Sequence, residues 1–268
     1  MFGRAAQTAL LEDRMTEFKA DELVRYTRNL AISEIGRAGQ EKLKAARVMV
    51  IGCGGLGSPA ALYLAAAGVG TVGLTDNDEV ELSNLQRQIA HSTATLGRSK
   101  VDSARELLIR LNPEITVETC RMRVSADNLP GLVRDYDFVL DCTDSFDSKY
   151  IVSDGCVRAG KPFTHAAVVR FGGQIMTVIP GVTPCLRCVF PDKPAPDSLP
   201  SPAQLGVLGA ACGVLGSLEA LEALKYILGV GENLRGTLLT FDGLALNFRK
   251  RPLPRRSPQC PACGGMTG

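Results

Sequence analysis

The chain has 268 residues, 45% hydrophobic and 22% charged, with a formal net charge of +2. That length supports one large α/β domain or two small ones with a substantial core, and the near-neutral charge argues against a polyanion-binding surface, so no nucleic-acid partner is expected. No apolar stretch reaches ~18 uninterrupted residues and the N-terminus lacks a signal-peptide apolar segment, so the expectation is a cytoplasmic protein with no membrane partner.

In chain order, residues 1–20 read as a poorly ordered arm. Asp21 to Leu30 reads as a short helix with Asp21 as N-cap, and Ile32 to Ala45 as a second that Gly36 and Gly39 interrupt. Val48 to Ile51 is a short apolar, β-branched run, as in a buried parallel strand. Gly52, Gly54 and Gly57 follow at G-x-G-x-x-G spacing, and from Leu56 an Ala/Leu-rich helix runs to Ala67, with Gly68 as its C-cap. Strand, glycine turn and helix together aim backbone N–H groups and a helix N-terminus at phosphate. A second apolar run, Thr71 to Thr75, ends in Asp76, about 20 residues after the last glycine, where a ribose-binding acid belongs. This stretch by itself does not say which nucleotide binds.

A polar segment, Asp76 to Gly97, leads into a helix that Ser99 starts, over Lys100 to Leu111. Ile115 to Cys120 reads as a third strand, Asp127 to Arg134 as a helix, Phe138 to Cys142 as a fourth strand and Phe146 to Ala159 as a helix. The alternation predicts a doubly wound, mainly parallel sheet covered on both faces. After Pro162 the pattern changes. Phe163 to Phe171 and Gln174 to Ile179 are β-rich runs joined at Gly172-Gly173, a candidate hairpin. Phe190 to Pro202 is proline-rich and reads as an exposed, mobile loop. Leu205 to Leu228 is a long Gly/Ala/Leu helix carrying Glu219, Glu222 and Lys225, and the strands Thr237–Phe241 and Leu244–Phe248 precede a basic, proline-broken tail. With no repeat and no second core in view, residues 21–268 read as a single domain: a nucleotide-binding core over about 46–160 and an antiparallel annex over about 161–268.

Of nine cysteines, four form two C-x-x-C pairs, Cys185/Cys188 and Cys260/Cys263. In a reducing compartment this pattern points to metal rather than disulfides. Four thiolates suit a tetrahedral structural Zn²⁺ with no open position, and both pairs lie in Pro/Gly turns rather than at a helix N-terminus, where a redox thiol is activated. Two unrelated pairs, or one redox pair, are the alternatives. A second cluster gathers near the carboxyl ends of the strands: Asn84 and Arg87 in the segment after Asp76, Lys100 opening its helix, and Asp144 closing Asp141-Cys-Thr-Asp144. Singly, each is better read as a solvated charge. Together they suit a triphosphate with Mg²⁺, the cations neutralising phosphate and a carboxylate holding the metal.

Arg25-Tyr-Thr-Arg28, Gly52-Cys-Gly-Gly-Leu-Gly57, Ser83-Asn-Leu-Gln-Arg-Gln88, Gly97-Arg-Ser-Lys100, Asp141-Cys-Thr-Asp144 and the paired C-x-x-C motifs occur in this order from about Leu23 to Cys263. The combination resembles the MoeB/ThiF family, bacterial relatives of the ubiquitin-activating enzymes. The resemblance implies a Rossmann-like fold with a zinc-stapled tail and an adenylyltransferase. It would use ATP to activate the C-terminal Gly-Gly carboxylate of a small ubiquitin-like sulfur-carrier protein for molybdopterin, thiamine or related biosynthesis. It further implies that the loop, Gly55 included, approaches the nucleotide, that Asp76 takes the ribose, and that Asn84, Arg87, Gln88 and Lys100 contact phosphates. Asp144 would hold Mg²⁺, and Arg28 would reach into a neighbouring subunit's site, making a homodimer. The chain departs from the family pattern in one place. Ser198 to Gln204, just before the long helix, lacks the usual cysteine. Cys156 and Cys212 read as packed thiols, so the sulfur is expected from an external donor. His91 and His165 show no partner in the sequence. The rival readings are a nicotinamide-dependent oxidoreductase, which leaves Arg87, Lys100, Asp144 and the cysteines idle, a non-enzymatic scaffold, and adenylation of another carboxylate such as a peptide C-terminus or a modified tRNA base.

Overall fold

The computed structural model describes residues 18–192 and 202–266. Most of the expected N-terminal arm and the centre of the proline-rich stretch lie outside the described residues. The strands are β1 (Arg47–Ile51), β2 (Thr71–Thr75), β3 (Thr116–Cys120), β4 (Phe138–Asp141), β5 (Phe163–Val169), β6 (Gly172–Val178), β7 (Thr237–Asp242) and β8 (Asn247–Pro252). They form one sheet in the order β3-β2-β1-β4-β5-β6-β7-β8. The first five strands of that order are parallel and the last three join antiparallel. The doubly wound sheet with an antiparallel annex is therefore present.

Ten α-helices accompany the sheet in the described residues: α1 (Ala20–Arg25), α2 (Thr27–Leu30), α3 (Gly36–Ala45), α4 (Gly57–Ala67), α5 (Lys100–Leu111), α6 (Leu129–Val133), α7 (Phe146–Arg158), α8 (Leu186–Val189), α9 (Pro202–Leu205) and α10 (Gly209–Leu228). Alternate residues of β1 feed opposite cores, as a two-period strand requires. Val48 and Val50 pack with α4, α5 and α10 on one face. Met49 and Ile51 pack with α6, α7 and the cysteine-bearing tail on the other. Gly68 closes α4 in the left-handed region, with φ 82°.

Several boundaries differ from the sequence expectation. The first helix breaks at Tyr26 into α1 and α2, and Lys19 rather than Asp21 is its N-cap. The break buries the Tyr26 ring, whose hydroxyl accepts a hydrogen bond from Asn112. Gly39 does not interrupt α3. It is buried within it, and an added Cβ would lie 3.0 Å from Leu228. The β5–β6 turn falls at Arg170-Phe171, with Arg170 at φ 54°, not at Gly172-Gly173. Those glycines are ladder residues held where backbone passes close: a Cβ at Gly173 would lie 2.1 Å from Ala167 O. The β7–β8 turn takes Gly243 to Leu246, which moves the last strand three residues later than expected. The long helix starts at Gly209, after the separate short α9. Its Glu219 and Glu222 are buried. Glu219 accepts from Thr164 Oγ1 at 3.0 Å, and Glu222 from Leu234 N–H at 2.8 Å and Asn233 Nδ2 at 3.0 Å.

Candidate active site

The parallel register sets Thr75, Ile51 and Asp141 side by side at the carboxyl ends of β2, β1 and β4. The three segments leaving those ends are therefore neighbours. They are laced together by Gly52 N–H to Thr75 O at 2.8 Å and Cys142 N–H to Ile51 O at 3.0 Å. The glycine loop is held tightly against its own surroundings. A Cβ at Gly57 would lie 1.9 Å from Gly52 O, and one at Gly52, whose φ is +97°, would lie 2.8 Å from Cys142 O. Gly54 is different, since a Cβ there would meet nothing nearer than Gln88 Nε2 at 3.7 Å. The chain itself does not demand a glycine at that position, whereas close approach of a ligand to the backbone would.

Asp76 is half-buried. Its Oδ2 accepts from Cys53 N–H at 2.8 Å and its Oδ1 from Asp78 N–H at 2.9 Å, so the acid shapes the loop and retains lone pairs. Lys100 reaches this region because Val80 and Asp78 pair with Arg98 and Lys100 through backbone hydrogen bonds. Its side chain is buried, and Nζ lies 2.8 Å from Asp78 Oδ2. Asp78 was missed in the sequence, where it is one acid in the run Asp76 to Glu79. Asn84 and Gln88 are buried, and Arg87 is half-buried with Nη1 donating to Ser83 O at 3.1 Å. The first turn of α10 backs Arg87: a Cβ at Gly209 would lie 3.1 Å from Arg87 Cα. Asp144 is exposed, three residues past the end of β4.

Both histidines do have partners. His91 Nε2 lies 2.9 Å from Cys53 O and Nδ1 3.0 Å from Ser103 Oγ, tying the polar segment to the loop and to α5. His165 Nδ1 lies 3.1 Å from Asp141 Oδ2. Burial holds both imidazoles below the ordinary histidine range, so they are neutral linkers at pH 7. Sequence offered no signal for these pairs, because strand register and loop closure create them. Cys212 is buried, as expected of a packed thiol, but it packs on the loop itself, its Sγ 2.8 Å from where a Gly55 Cβ would be. Burial pushes its pKa up to about 11, so it is protonated near neutral pH. Cys156 is fully buried.

Buried polar atoms without partners are a further mark of this region. Among the described residues, Ser58 Oγ, Gln88 Oε1 and Ser99 Oγ are buried without a hydrogen-bond partner, and all lie on segments framing the crevice. Unsatisfied buried groups are costly unless a ligand completes them. A surface depression of about 680 Å³ beside α5 shares Ser99 with this region but carries none of Asp76, Arg87, Lys100 or Asp144. Among its charges, Arg98 and Arg110 pair with Glu106, and Arg121 with Glu79 outside it.

On the opposite face of the sheet, Cys185, Cys188, Cys260 and Cys263 converge, all four Sγ atoms within 4.8 Å of one another. The Cys185–Cys260 and Cys188–Cys263 separations are 3.5 and 3.4 Å. Four thiolates on a tetrahedron of ~2.3 Å Zn–S bonds would stand roughly 3.8 Å apart, so the cluster is compatible with zinc. Ser257 N–H points at Cys188 Sγ at 3.4 Å, a donor of the kind that steadies a metal thiolate.

Residues 26–262 match the ThiF family. The chain belongs to the ThiF family. Among curated relatives it is 48% identical over 244 residues to the adenylyltransferase and sulfurtransferase MOCS3 of Mus musculus, an alignment covering 91% of this chain and 53% of that one. It is 44% identical over 249 residues to the sulfur carrier protein adenylyltransferase of Thermus thermophilus, covering 91% of this chain and 92% of the relative. The chain thus spans about half the length of the MOCS3 relatives it matches. Among solved structures, E. coli MccB with ATP superposes with a TM-score of 0.79 at 26% identity, over 97% of this chain and 81% of that one. No helix among the described residues is long and apolar enough to cross a membrane.

Proposed function

We propose that the chain adenylates the C-terminal Gly-Gly carboxylate of a small ubiquitin-like sulfur carrier, with ATP as adenylyl donor and pyrophosphate as product. Support comes from the glycine loop, the segment carrying Asp76, Arg87 and Lys100, and the turn ending in Asp144, which leave three adjacent strand ends in a chain that matches a sulfur-carrier adenylyltransferase over nearly its whole length. A carboxylate oxygen of the carrier attacks the α-phosphorus, the bond from that phosphorus to the bridging oxygen breaks, and pyrophosphate leaves. Arg87 and Lys100 neutralise the charge on the phosphates, Lys100 exchanging its Asp78 partner for phosphate, while Asn84 and Gln88 donate from their amides. Asp76 takes the ribose, and Asp144 would hold a Mg²⁺ that screens the triphosphate. The work is positioning and electrostatic stabilisation. A nicotinamide reading would leave this cation cluster without a task.

Arg28 serves the site of a second copy in this reading, making a homodimer. In support, Arg28 is exposed on α2, and its neighbour Asn29 faces Ala67 O at the C-terminal end of α4. The glycine loop opens the other end of that helix, ~16 Å away at 1.5 Å per residue. No enzyme thioester is assigned, because Ser198 to Gln204 holds no cysteine and the buried Cys212 thiol stays protonated. An external donor then supplies sulfur to the adenylate.

The deciding test is ATP–pyrophosphate exchange with a candidate carrier and with the same carrier lacking its final glycine. Exchange is expected only with the intact carrier, and exchange that ignores the carrier or survives truncation would sink the proposal. A second expectation concerns docking. Phe171, Leu244 and Leu246 are exposed, and Gly243 N–H donates to Phe171 O at 3.0 Å, joining the β5–β6 and β7–β8 turns. Both turns lie at the same end of the sheet as the glycine loop, because β5 and β7 run in the sense of β1. Leu246→Asp is expected to raise the KM for the carrier roughly tenfold or more, since it charges the centre of an apolar contact, and to leave the KM for ATP unchanged. Equal effects on both would assign the turn to the fold rather than to the carrier.

A further inference from the structure

The motif Asp141-Cys-Thr-Asp144 holds two acids, and the reading above uses only the second. Asp141, the last residue of β4, is 0% exposed, and both of its oxygens are engaged. Oδ1 accepts from Thr143 N–H at 3.2 Å and from Thr143 Oγ1 at 2.6 Å. Oδ2 faces His165 Nδ1 at 3.1 Å and Lys149 Nζ at 3.6 Å. Lys149 is buried in α7 and also donates to Ala166 O, which fixes it against β5. Burial opposes ionisation of Asp141, yet Lys149, His165 and Thr143 together hold its carboxyl below the usual carboxylate range.

A buried ion pair is a poor way to gain stability, because desolvating both charges offsets their attraction. Its geometric effect is more specific. The Oδ1 bonds form an Asx turn, which dictates the backbone over Cys142 and Thr143. That turn presses on the glycine loop, where a Gly52 Cβ would stand 2.8 Å from Cys142 O and 3.4 Å from Thr143 N. The residue after the turn is Asp144, whose exposed side chain is aimed by this backbone.

We infer that Asp141 is a positioning residue for adenylation: backed by Lys149 and His165, its carboxylate fixes the Cys142–Asp144 turn against the glycine loop and so sets where Asp144 meets the nucleotide. The inference rests on the adenylation reading. It separates turn formation from charge, because asparagine keeps an Oδ1 acceptor for Thr143 and alanine does not.

The test compares two double variants of the full chain, Asp141→Ala/Lys149→Met and Asp141→Asn/Lys149→Met, which lose the same two charges. The alanine pair is expected to lose roughly 10–100-fold in kcat for carrier-dependent exchange, the scale of a 1 Å misplacement, and to need about fivefold more Mg²⁺ for half-maximal rate. The asparagine pair is expected to stay within about threefold of the unmodified chain on both measures. Mn²⁺ titration followed by electron paramagnetic resonance, with a non-hydrolysable ATP analogue and no carrier, should weaken for the alanine pair alone. Thr143→Val, which leaves every charge in place, should move the same quantities in the same direction and guards against a double variant that does not fold. Equal losses in the two double variants, or no loss in either, would overturn the positioning role. Failure of the unmodified chain to exchange would instead remove the adenylation reading itself, and full activity of Asp144→Ala would overturn the inference by removing the role it gives Asp144.

Discussion

Arg87→Ala, and separately Asp144→Ala, are expected to reduce carrier-dependent ATP–pyrophosphate exchange by about 10²-fold or more, the scale found when a preorganised electrostatic contact to a developing charge is lost. Arg87 is built for this task. Its guanidinium spends one donor on Ser83 O, and its backbone packs closely against the α10 turn at Gly209. Remaining donors can face phosphate, and a half-buried position makes each worth more than in water. Asp144 contributes through charge of the opposite sign, so the two variants should differ in kind. Asp144→Ala should show a raised Mg²⁺ requirement, which Arg87→Ala should not. Cys212→Ala should stay within about tenfold, since it loses packing against Gly55 but no charge. Initial-rate exchange over ATP and Mg²⁺ concentrations separates these outcomes. Full activity in both alanine variants would show that the strand-end cluster is not the adenylation site.

The second large effect is on stability. Treatment with a strong chelator, or Cys263→Ser, is expected to release about one zinc per chain and lower the melting temperature by roughly 6–20 °C, corresponding to ~3–5 kcal/mol in a chain of this size. The reason is the wiring of the tail. Cys260 and Cys263 pack into the core that holds Met49, Ile51 and Phe163, and a metal on the four thiolates would join that tail to Cys185 and Cys188 near α8. The glycine loop and α10 belong to the core on the other face. Exchange measured well below the lowered melting temperature is therefore expected to persist in the zinc-free protein. Loss of exchange with the fold intact would give the metal a part in catalysis, and zinc content near zero in the untreated protein would remove the metal altogether.

Much of this molecule is local information. The G-x-G-x-x-G turn between an apolar run and an Ala-rich helix is set by short-range sterics, and β2 and α5 begin and end at the expected residues because their apolar periods and flanking Gly, Ser and Pro are local signals. The four cysteines were legible as a site from spacing alone, since thiol pairs two residues apart have few other uses. Boundaries went astray where a distant contact outweighed local preference. Gly39 stays helical against Leu228, and Gly172 and Gly173 lie in a strand because neighbouring backbone leaves no room for a side chain.

The sequence by itself determined the fold class, the glycine turn between β1 and α4 and the grouping of the four cysteines, because each is written in patterns of a few positions. Only the tertiary structure decided the partners. That Lys100 waits on Asp78, that His91 ties Cys53 to α5, and that Asp141 sits between His165 and Lys149 follow from strand register and burial. Strand register pairs residues far apart in sequence, and burial turns a common surface charge into a group that must find a specific partner.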